Sequence, residues 1–279
     1  MPHDIRGGHE THWRQFGHGP RAALMIHCSL ASSGAWAGVA EHFKDDLTMT
    51  AFDLPSHGKS ARWDRRGDLQ DLCVAMAKDF WTAQAGEAGP VLDGPVDVIG
   101  HSFGATVALR LAVEHPEKIR SLTMIEPVYF AIYYADDPDA RAEHEAQNAE
   151  YRAAVARGDD AAAAKAFVGA WGDGRPWDSL APEARARMIE QIHTISAVAP
   201  AIYDDRSGII ASGALERLDL PVLLIDGAQS SPHIATINEG LKRRIKGAQR
   251  VQVQGGHMAP ITDPAPVAQA LRAHLFGGS

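Results

Sequence analysis

A serine between two glycines is the pattern in this chain that most directly indicates chemistry. Ser102 lies in Gly100-His101-Ser102-Phe103-Gly104, which joins a predicted strand to a predicted helix. The turn strains the serine backbone, and side chains larger than glycine at its flanks would collide with the adjoining strand and helix. In this context the hydroxyl is presented as a nucleophile for acyl transfer. An ordinary glycine-rich turn is the alternative.

The base that activates Ser102 is expected to be a histidine, because a serine hydroxyl is a weak nucleophile until a neighbouring group accepts its proton. Among the 14 histidines, His257 stands in Gly255-Gly256-His257-Met258-Ala259-Pro260, after the last predicted strand and before the last predicted helix. This position predicts a loop at the carboxyl edge of the sheet. We therefore predict that His257 is the base, with a hydrogen-bonding loop residue as the alternative.

Strand-like and helix-like segments alternate along the chain, which predicts an α/β fold with a mostly parallel sheet and helices on both faces. Ligands of such folds bind at the carboxyl ends of the strands. An amphipathic helix is predicted from Leu69 to Ala83, and a helix follows Ser102 until Pro116. The predicted strands are RAALMIH (21–27), LTMTAFDLP (47–55), PVDVIG (95–100), IRSLTMIEPV (119–128), LPVLLIDG (220–227) and RVQVQG (250–255).

The segment from about Val128 to Asp205 has a different pattern. It has no strand-like run, and alanine and charged residues dominate its helix-like stretches. We predict a helical insertion that divides the α/β core. Trp171 and Trp177, which flank a glycine-rich bend, are candidates to line an acyl or alcohol pocket, with packing against the core as the alternative. Tyr129 begins an aromatic cluster at the start of the insertion and is a third candidate, with hinge packing as the alternative.

Five segments together resemble the α/β-hydrolase superfamily over essentially the whole chain: LMIHCS, FDLPSHGKS, VDVIGHSFG, ALERLDLPVLLIDG and GGHMAPITDP. The resemblance implies an α/β-hydrolase fold, with an eight-stranded, mostly parallel sheet and a helical cap inserted after strand 6. It also implies a serine–acid–histidine triad in that chain order. The expected domains are a core of residues 1–127 and 206–279 and a cap of residues 128–205.

The resemblance also implies an oxyanion hole of two backbone N–H groups. Phe103, directly after the nucleophile, supplies one of them. By position Ser29 supplies the other, from a loop where relatives commonly read His-Gly-x and this chain reads His27-Cys28-Ser29. In FDLPSHGKS, Asp53, His57 and Ser60 resemble the family's structural loop and are expected to brace the floor of the site.

The acid of the triad departs from the usual pattern of the family. Relatives commonly carry Gly-x-x-Asp after the penultimate strand, whereas this chain has Gly227-Ala228-Gln229-Ser230. Some relatives, such as certain haloalkane dehalogenases, place the acid at the end of the sixth strand, where this chain has Glu126. A carboxylate that closes an apolar run is costly unless it is paired. We predict Glu126 as the acid, with Asp226 as the alternative acid and a structural ion pair as the alternative role of Glu126.

Composition narrows the classes of partner. The net charge is −8 and there is no stretch dense in basic residues, so nucleic acid is not expected as a partner. The amino-terminal residues lack the apolar segment of a signal peptide, and the sequence lacks the apolar run of about 20 residues that a membrane span requires. We expect a cytoplasmic protein without a membrane partner. The two cysteines, Cys28 and Cys73, are predicted to be buried thiols without a chemical role.

These residues predict a serine hydrolase that cleaves a small or medium carboxylic ester, thioester or lactone, with a small-molecule substrate and neither metal nor organic cofactor. In this reading Ser102 attacks, His257 transfers the proton and Glu126 orients the imidazole, while the N–H groups of Phe103 and Ser29 stabilise the oxyanion. A serine nucleophile argues against dehalogenases and epoxide hydrolases of this fold, which use aspartate. The alternatives are hydrolysis of a carbon–carbon bond in a diketone and a non-catalytic ligand-binding protein.

Overall fold

The computed structural model describes residues 3–82 and 89–277 and contains one eight-stranded sheet. The strand order is β1-β2-β4-β3-β5-β6-β7-β8; β2 pairs antiparallel with β1 and β4, and the remaining pairs are parallel. The predicted α/β-hydrolase sheet is therefore confirmed. Its strands are β1 His3–Arg6, β2 His9–Phe16, β3 Arg21–Ile26, β4 Leu47–Phe52, β5 Val96–His101, β6 Ile119–Ile125, β7 Val222–Gly227 and β8 Gln249–Val253.

The central parallel strands are buried on both faces, which explains why they appear in the sequence as continuous apolar runs. Every residue of β5 and of β7 is buried. The first two strands were not predicted from the residues, because β2 reads HETHWRQF, with polar side chains at most positions. It lies near the edge of the sheet, where an antiparallel strand can keep polar side chains in water.

Helices cover both faces of the sheet. One apolar cluster joins the sheet to α2, α3 and α11, and a second joins the opposite face to α1 and α13. The helices are α1 Ala37–Glu41, α2 Leu69–Lys78, α3 Phe103–Glu114, α4 Phe130–Asp136, α5 Ala140–Gln147, α6 Ala149–Ala156, α7 Asp160–Trp171, α8 Pro182–Gln191, α9 His193–Ala197, α10 Ala199–Tyr203, α11 Pro232–Arg244, α12 Ala259–Thr262 and α13 Pro264–Phe276.

Helix α2 begins at the predicted residue but ends earlier than expected. The Asp68 side chain caps its first turn by accepting a hydrogen bond from the Asp71 N–H. The helix ends at Lys78, and a 3₁₀ turn follows over Asp79–Trp81. The predicted end, Ala83, lies outside the described residues.

Helices α4 to α10 all lie between β6 and β7, where the helical insertion was predicted. Asp136 at the end of α4 forms ion pairs with Arg243 and Arg244 of α11, which connect the insertion to the core. The boundaries at residues 128 and 205 remain a prediction. Within residues 3–82 and 89–277, no helix combines the length and hydropathy of a membrane span.

The glycines around Ser102 are required by close packing, as predicted. A Cβ atom on Gly104 would overlap the carbonyl oxygens of Ile26 and His27, and one on Gly100 would overlap the backbone of Gly104 and Ala105. Backbone atoms cannot move aside as the end of a flexible side chain can. The turn between β5 and α3 therefore accepts no side chain at either position.

We expect Gly104→Ala to lower the free energy of unfolding by about 3 kcal/mol, because the added methyl group displaces the β3 backbone. Gly169→Ala in α7 is the matched control: a Cβ there meets no atom within 4 Å, so this change should raise stability by ~0.5–1 kcal/mol. Urea denaturation of both variants checks this. Equal stabilities for the two variants would contradict the packing argument.

Candidate active site

Ser102 occupies a strained turn at the carboxyl end of β5. Its backbone has φ 55° and ψ −120°, and it is the residue that immediately precedes α3. The Ser102 N–H donates to the carbonyl oxygen of Ile125 at 2.9 Å, which fixes the turn to the end of β6. The side chain is 7% exposed. This is the local geometry of a nucleophile elbow.

Ser102, His257 and Glu126 form one hydrogen-bonded chain. The Ser102 Oγ lies 3.0 Å from His257 Nε2, and His257 Nδ1 lies 3.0 Å from Glu126 Oε2. Three residues far apart in the sequence are thus brought together at the carboxyl edge of the sheet. The arrangement allows the imidazole to accept the serine proton while the carboxylate faces the opposite ring nitrogen.

Glu126 is held in place by the neighbouring strand as well as by the histidine. It has φ 53°, is 1% exposed, and its N–H donates to the carbonyl oxygen of Ile225 at 2.8 Å. Its Oε1 accepts the Gly227 N–H at 2.5 Å and the Ser230 hydroxyl at 2.7 Å. Ser230, which stands where relatives carry the acid, therefore donates to an acid that comes from β6.

Asp226, the alternative acid, is bound to other partners. Its carboxylate accepts from Arg250 Nε at 2.7 Å and Nη2 at 2.8 Å, and from Asn238 and Gln252 at 3.0 Å each. Burial would raise the pKa of Asp226, but these hydrogen bonds outweigh it and the pKa lies below the usual value. The structure therefore places Asp226 in an ion pair with Arg250 rather than beside His257.

The oxyanion-hole candidates lie at the start of α3 and on the loop after β3. Phe103 is the first residue of α3, where the N–H groups have no acceptor within the helix. The Ser29 N–H has no protein acceptor within the part of the chain that the structure describes. The next N–H, of Leu30, donates to His57 Nε2 at 3.0 Å, and His57 Nδ1 donates to the Pro55 carbonyl oxygen at 2.8 Å.

These contacts require a neutral His57. Burial and the neighbouring His27 ring lower the pKa of His57 to about 3, so one ring nitrogen remains free to accept the Leu30 N–H. Asp53 accepts the Ser33 N–H at 2.6 Å and contacts His12 Nδ1 at 2.8 Å. The expected bracing of this loop by Asp53 and His57 agrees with these distances.

His101 was missed as a site residue, although it lies inside the motif around Ser102. Its Nε2 donates to the carbonyl oxygen of His257 at 2.8 Å and so holds the loop that carries the base. Burial and the neighbouring His257 lower the pKa of His101 to about 3, which keeps its ring neutral. A histidine at the buried end of a strand was the available signal.

Two cavities lie near the site, and neither is lined by Ser102, His257 or Glu126; Trp171, whose ring contacts that of His257, lines both. The first, here called the site cavity, has a volume of about 380 Å³ and is lined by residues that include Ser29, Leu30, Trp171 and Met258. The second, the insertion cavity, has about 370 Å³ and lies among α4 to α10. Of the three predicted pocket residues, only Trp171 lines these cavities.

Trp177 and Tyr129 line neither of these cavities. Trp177 packs against a small apolar cluster within the insertion. Tyr129 is 2% exposed, and its hydroxyl donates to Asp205 at the other end of the insertion. Both residues satisfy packing or hydrogen-bonding requirements that spacing alone does not show. Within residues 3–82 and 89–277, no group of three histidine, cysteine or acidic side chains is arranged to hold a metal ion.

Comparisons with known proteins show the family to which the chain belongs. The family model of the alpha/beta hydrolase fold matches residues 23–264. A pimeloyl-[acyl-carrier protein] methyl ester esterase of Neisseria meningitidis serogroup B is 31% identical over 258 residues, covering 86% of this chain and 90% of that protein. Lipase LipV of Mycobacterium tuberculosis is 24% identical over 277 residues, covering 95% and 98%.

Among solved structures, a putative lipase from Acinetobacter baumannii AYE superposes with a TM-score of 0.74 at 20% identity, over 99% of this chain and 90% of that one. An enol-lactonase from Burkholderia xenovorans LB400 gives a TM-score of 0.69 at 16% identity, over 98% and 99%. These likenesses show the fold. The chain belongs to the α/β hydrolase fold family. It is a hydrolase.

The neutral buried histidines predict how stability depends on pH. The pKa of His101 is about 3 in the folded protein and about 6.5 in the unfolded chain. Between pH 3 and pH 6.5, therefore, His101 is protonated in the unfolded chain and neutral in the folded protein. Stability should therefore fall as pH falls from 6.5 towards 3, by up to about 1.4 kcal/mol per pH unit for this group. His101→Gln keeps a donor for the His257 carbonyl and should show a shallower fall.

Urea denaturation at pH 7, 6, 5 and 4 measures this slope. His18→Gln is the control, because the His18 side chain is 77% exposed, and it should retain the slope of the unmodified protein. Equal slopes for His101→Gln and the unmodified protein would contradict the neutral state of His101.

Proposed function

We propose that the protein is a serine hydrolase that cleaves a small or medium carboxylic ester, thioester or lactone through an acyl-enzyme on Ser102. The observation that carries this proposal is the chain from Ser102 Oγ through the His257 ring to Glu126, with both distances at 3.0 Å. The substrate is a small molecule, for which the site cavity of about 380 Å³ has a suitable size. The proposed location is the cytoplasm.

In the proposed mechanism, His257 Nε2 accepts the Ser102 proton as the hydroxyl oxygen attacks the carbonyl carbon. The charge that develops on the carbonyl oxygen is stabilised by the N–H groups of Ser29 and Phe103. The imidazolium then gives its proton to the departing alkoxide, which leaves an ester between the acyl group and Ser102. Water, deprotonated by His257, releases the acid and restores the serine.

Glu126 has a positioning role in this cycle. The carboxylate faces His257 Nδ1, so it fixes the tautomer that leaves Nε2 free to accept the serine proton. It also stabilises the imidazolium that forms during attack. Its second oxygen is already occupied by Gly227 and Ser230, which keeps the carboxylate from rotating away from the histidine.

The names of similar proteins support ester hydrolysis. The relatives include methyl ester esterases and a lipase, and the structural neighbours include a carboxylesterase and a thioesterase domain. A ligand-binding protein without activity would need neither the serine–histidine contact nor a buried carboxylate behind it. Carbon–carbon bond hydrolysis is chemically compatible with Ser102, but no contact in the site favours it over ester cleavage.

We expect a fluorophosphonate probe to label the protein once, at Ser102, and Ser102→Ala to lose both the label and the hydrolysis of methyl butanoate, measured as acid released at constant pH. The rate of acid release should fall by about 10³-fold or more, because Ser102→Ala removes the attacking oxygen. Ser230→Ala is a matched serine control that keeps the nucleophile and should retain the label. Labelling that survives Ser102→Ala would contradict the assignment.

A further inference from the structure

Two aromatic side chains line both cavities. Trp171, the last residue of α7, lines both the site cavity and the insertion cavity, and Phe167, one turn earlier, does the same. The two cavities therefore adjoin at the end of α7, where these two side chains stand.

The Trp171 ring is packed between the base and the insertion. Its ring centroid lies 4.9 Å from that of His257, edge to face at 65°. On the other side it meets the Phe130 ring at 6.1 Å and 88°, and Phe130 is 1% exposed. Phe130 in turn stacks on His144 at 4.2 Å. Contacts on two sides hold Trp171 against the imidazole.

The chemistry of His257 identifies which part of a substrate meets Trp171. The imidazole must deliver its proton to the leaving oxygen, so the alcohol portion of an ester lies beside the His257 ring. The carbonyl oxygen points instead to Ser29 and Phe103. The site cavity adjoins this oxygen through Ser29, and the proposed binding mode places the acyl portion there. The side chain in contact with His257 therefore limits the alcohol portion.

We propose that Trp171 closes the alcohol side of the site, so that the protein selects esters of small alcohols, and that the insertion cavity is a chamber for longer alcohols that Trp171 keeps shut. This inference rests on the proposed function and names its substrate class. Replacement of Trp171 by a small residue joins the two spaces.

The lining of the insertion cavity defines what the opened chamber accepts. Aromatic side chains form much of its wall, including Tyr134, Tyr151, Phe167 and Tyr203. Its two arginines already have acidic partners: Arg141 pairs with Asp204, and Arg152 pairs with Glu145. With these cations paired, the chamber suits an uncharged alkyl chain rather than an anionic group.

Two ester series test the proposal, with kcat/KM measured from acid release. The alcohol series is methyl, butyl and octyl butanoate, and the acyl series is methyl butanoate, hexanoate and octanoate. The unmodified protein should prefer methyl to octyl butanoate. Trp171→Ala should raise the octyl-to-methyl ratio in the alcohol series at least ~10-fold, because the added methylenes enter an apolar space. The ratio in the acyl series should change less than ~2-fold.

A second change fills the chamber from its far side. Ala199 at the start of α10 lines the insertion cavity and not the site cavity. Ala199→Phe in the Trp171→Ala background should cancel the gain for octyl butanoate. Trp177→Ala is the matched tryptophan control, since Trp177 lines neither cavity, and it should leave both ratios unchanged. Thermal melting and fluorophosphonate labelling confirm that each variant is folded.

Several outcomes would overturn the proposal: octyl butanoate accepted by the unmodified protein as readily as methyl butanoate, a shift confined to the acyl series, or an unchanged alcohol series in a folded Trp171→Ala protein. These outcomes differ from failure of the proposed function. If the proposed function is wrong, the unmodified protein hydrolyses neither ester series, or the Ser102→Ala variant hydrolyses them as well as the unmodified protein does.

Discussion

The buried carboxylate of Glu126 accepts hydrogen bonds from three separate parts of the chain. His257 brings the loop after β8, Gly227 the end of β7, and Ser230 the turn that follows. Burying a carboxylate without hydrogen-bond partners costs several kcal/mol of folding free energy. The three donors offset this cost, and the carboxylate in turn holds each donor in place. The position of the base therefore depends on a side chain from the opposite side of β7.

The sheet supplies the rigidity that this arrangement needs. Ser102 and Glu126 both have positive φ and both directly follow parallel strands. In each case the strained residue donates its N–H to a carbonyl oxygen near the carboxyl end of the next strand, Ser102 to Ile125 of β6 and Glu126 to Ile225 of β7. Strained backbone persists only where surrounding structure over-determines it. The proposed nucleophile and the proposed acid are thus fixed in register by hydrogen bonds to neighbouring strands of the same sheet.

Much of this could be predicted from the sequence because buried parallel strands and tight turns constrain residue type strongly. Apolar runs located β3 to β7, the alternating segment RVQVQG located β8, and the glycines around Ser102 marked a turn that admits no Cβ. Strands β1 and β2 were missed because their polar side chains do not form an apolar run. The places of Trp177 and Tyr129 depend on how the helices of the insertion pack, which spacing does not specify. His101 and Ser230 act through partners more than 100 residues distant, so a local pattern such as the buried strand end at His101 does not identify those partners.

The central claim is that Glu126, rather than Asp226, is the carboxylate that serves His257, and kcat for methyl butanoate tests it most directly. Glu126→Gln keeps the shape of the side chain but removes its charge. The account predicts a loss of up to about 10⁴-fold in kcat, because the base loses its orienting carboxylate. Asp226→Asn is the matched change in a carboxylate bound to Arg250, and kcat should fall less than ~10-fold while stability decreases. A larger loss of kcat in folded Asp226→Asn than in Glu126→Gln would contradict the account.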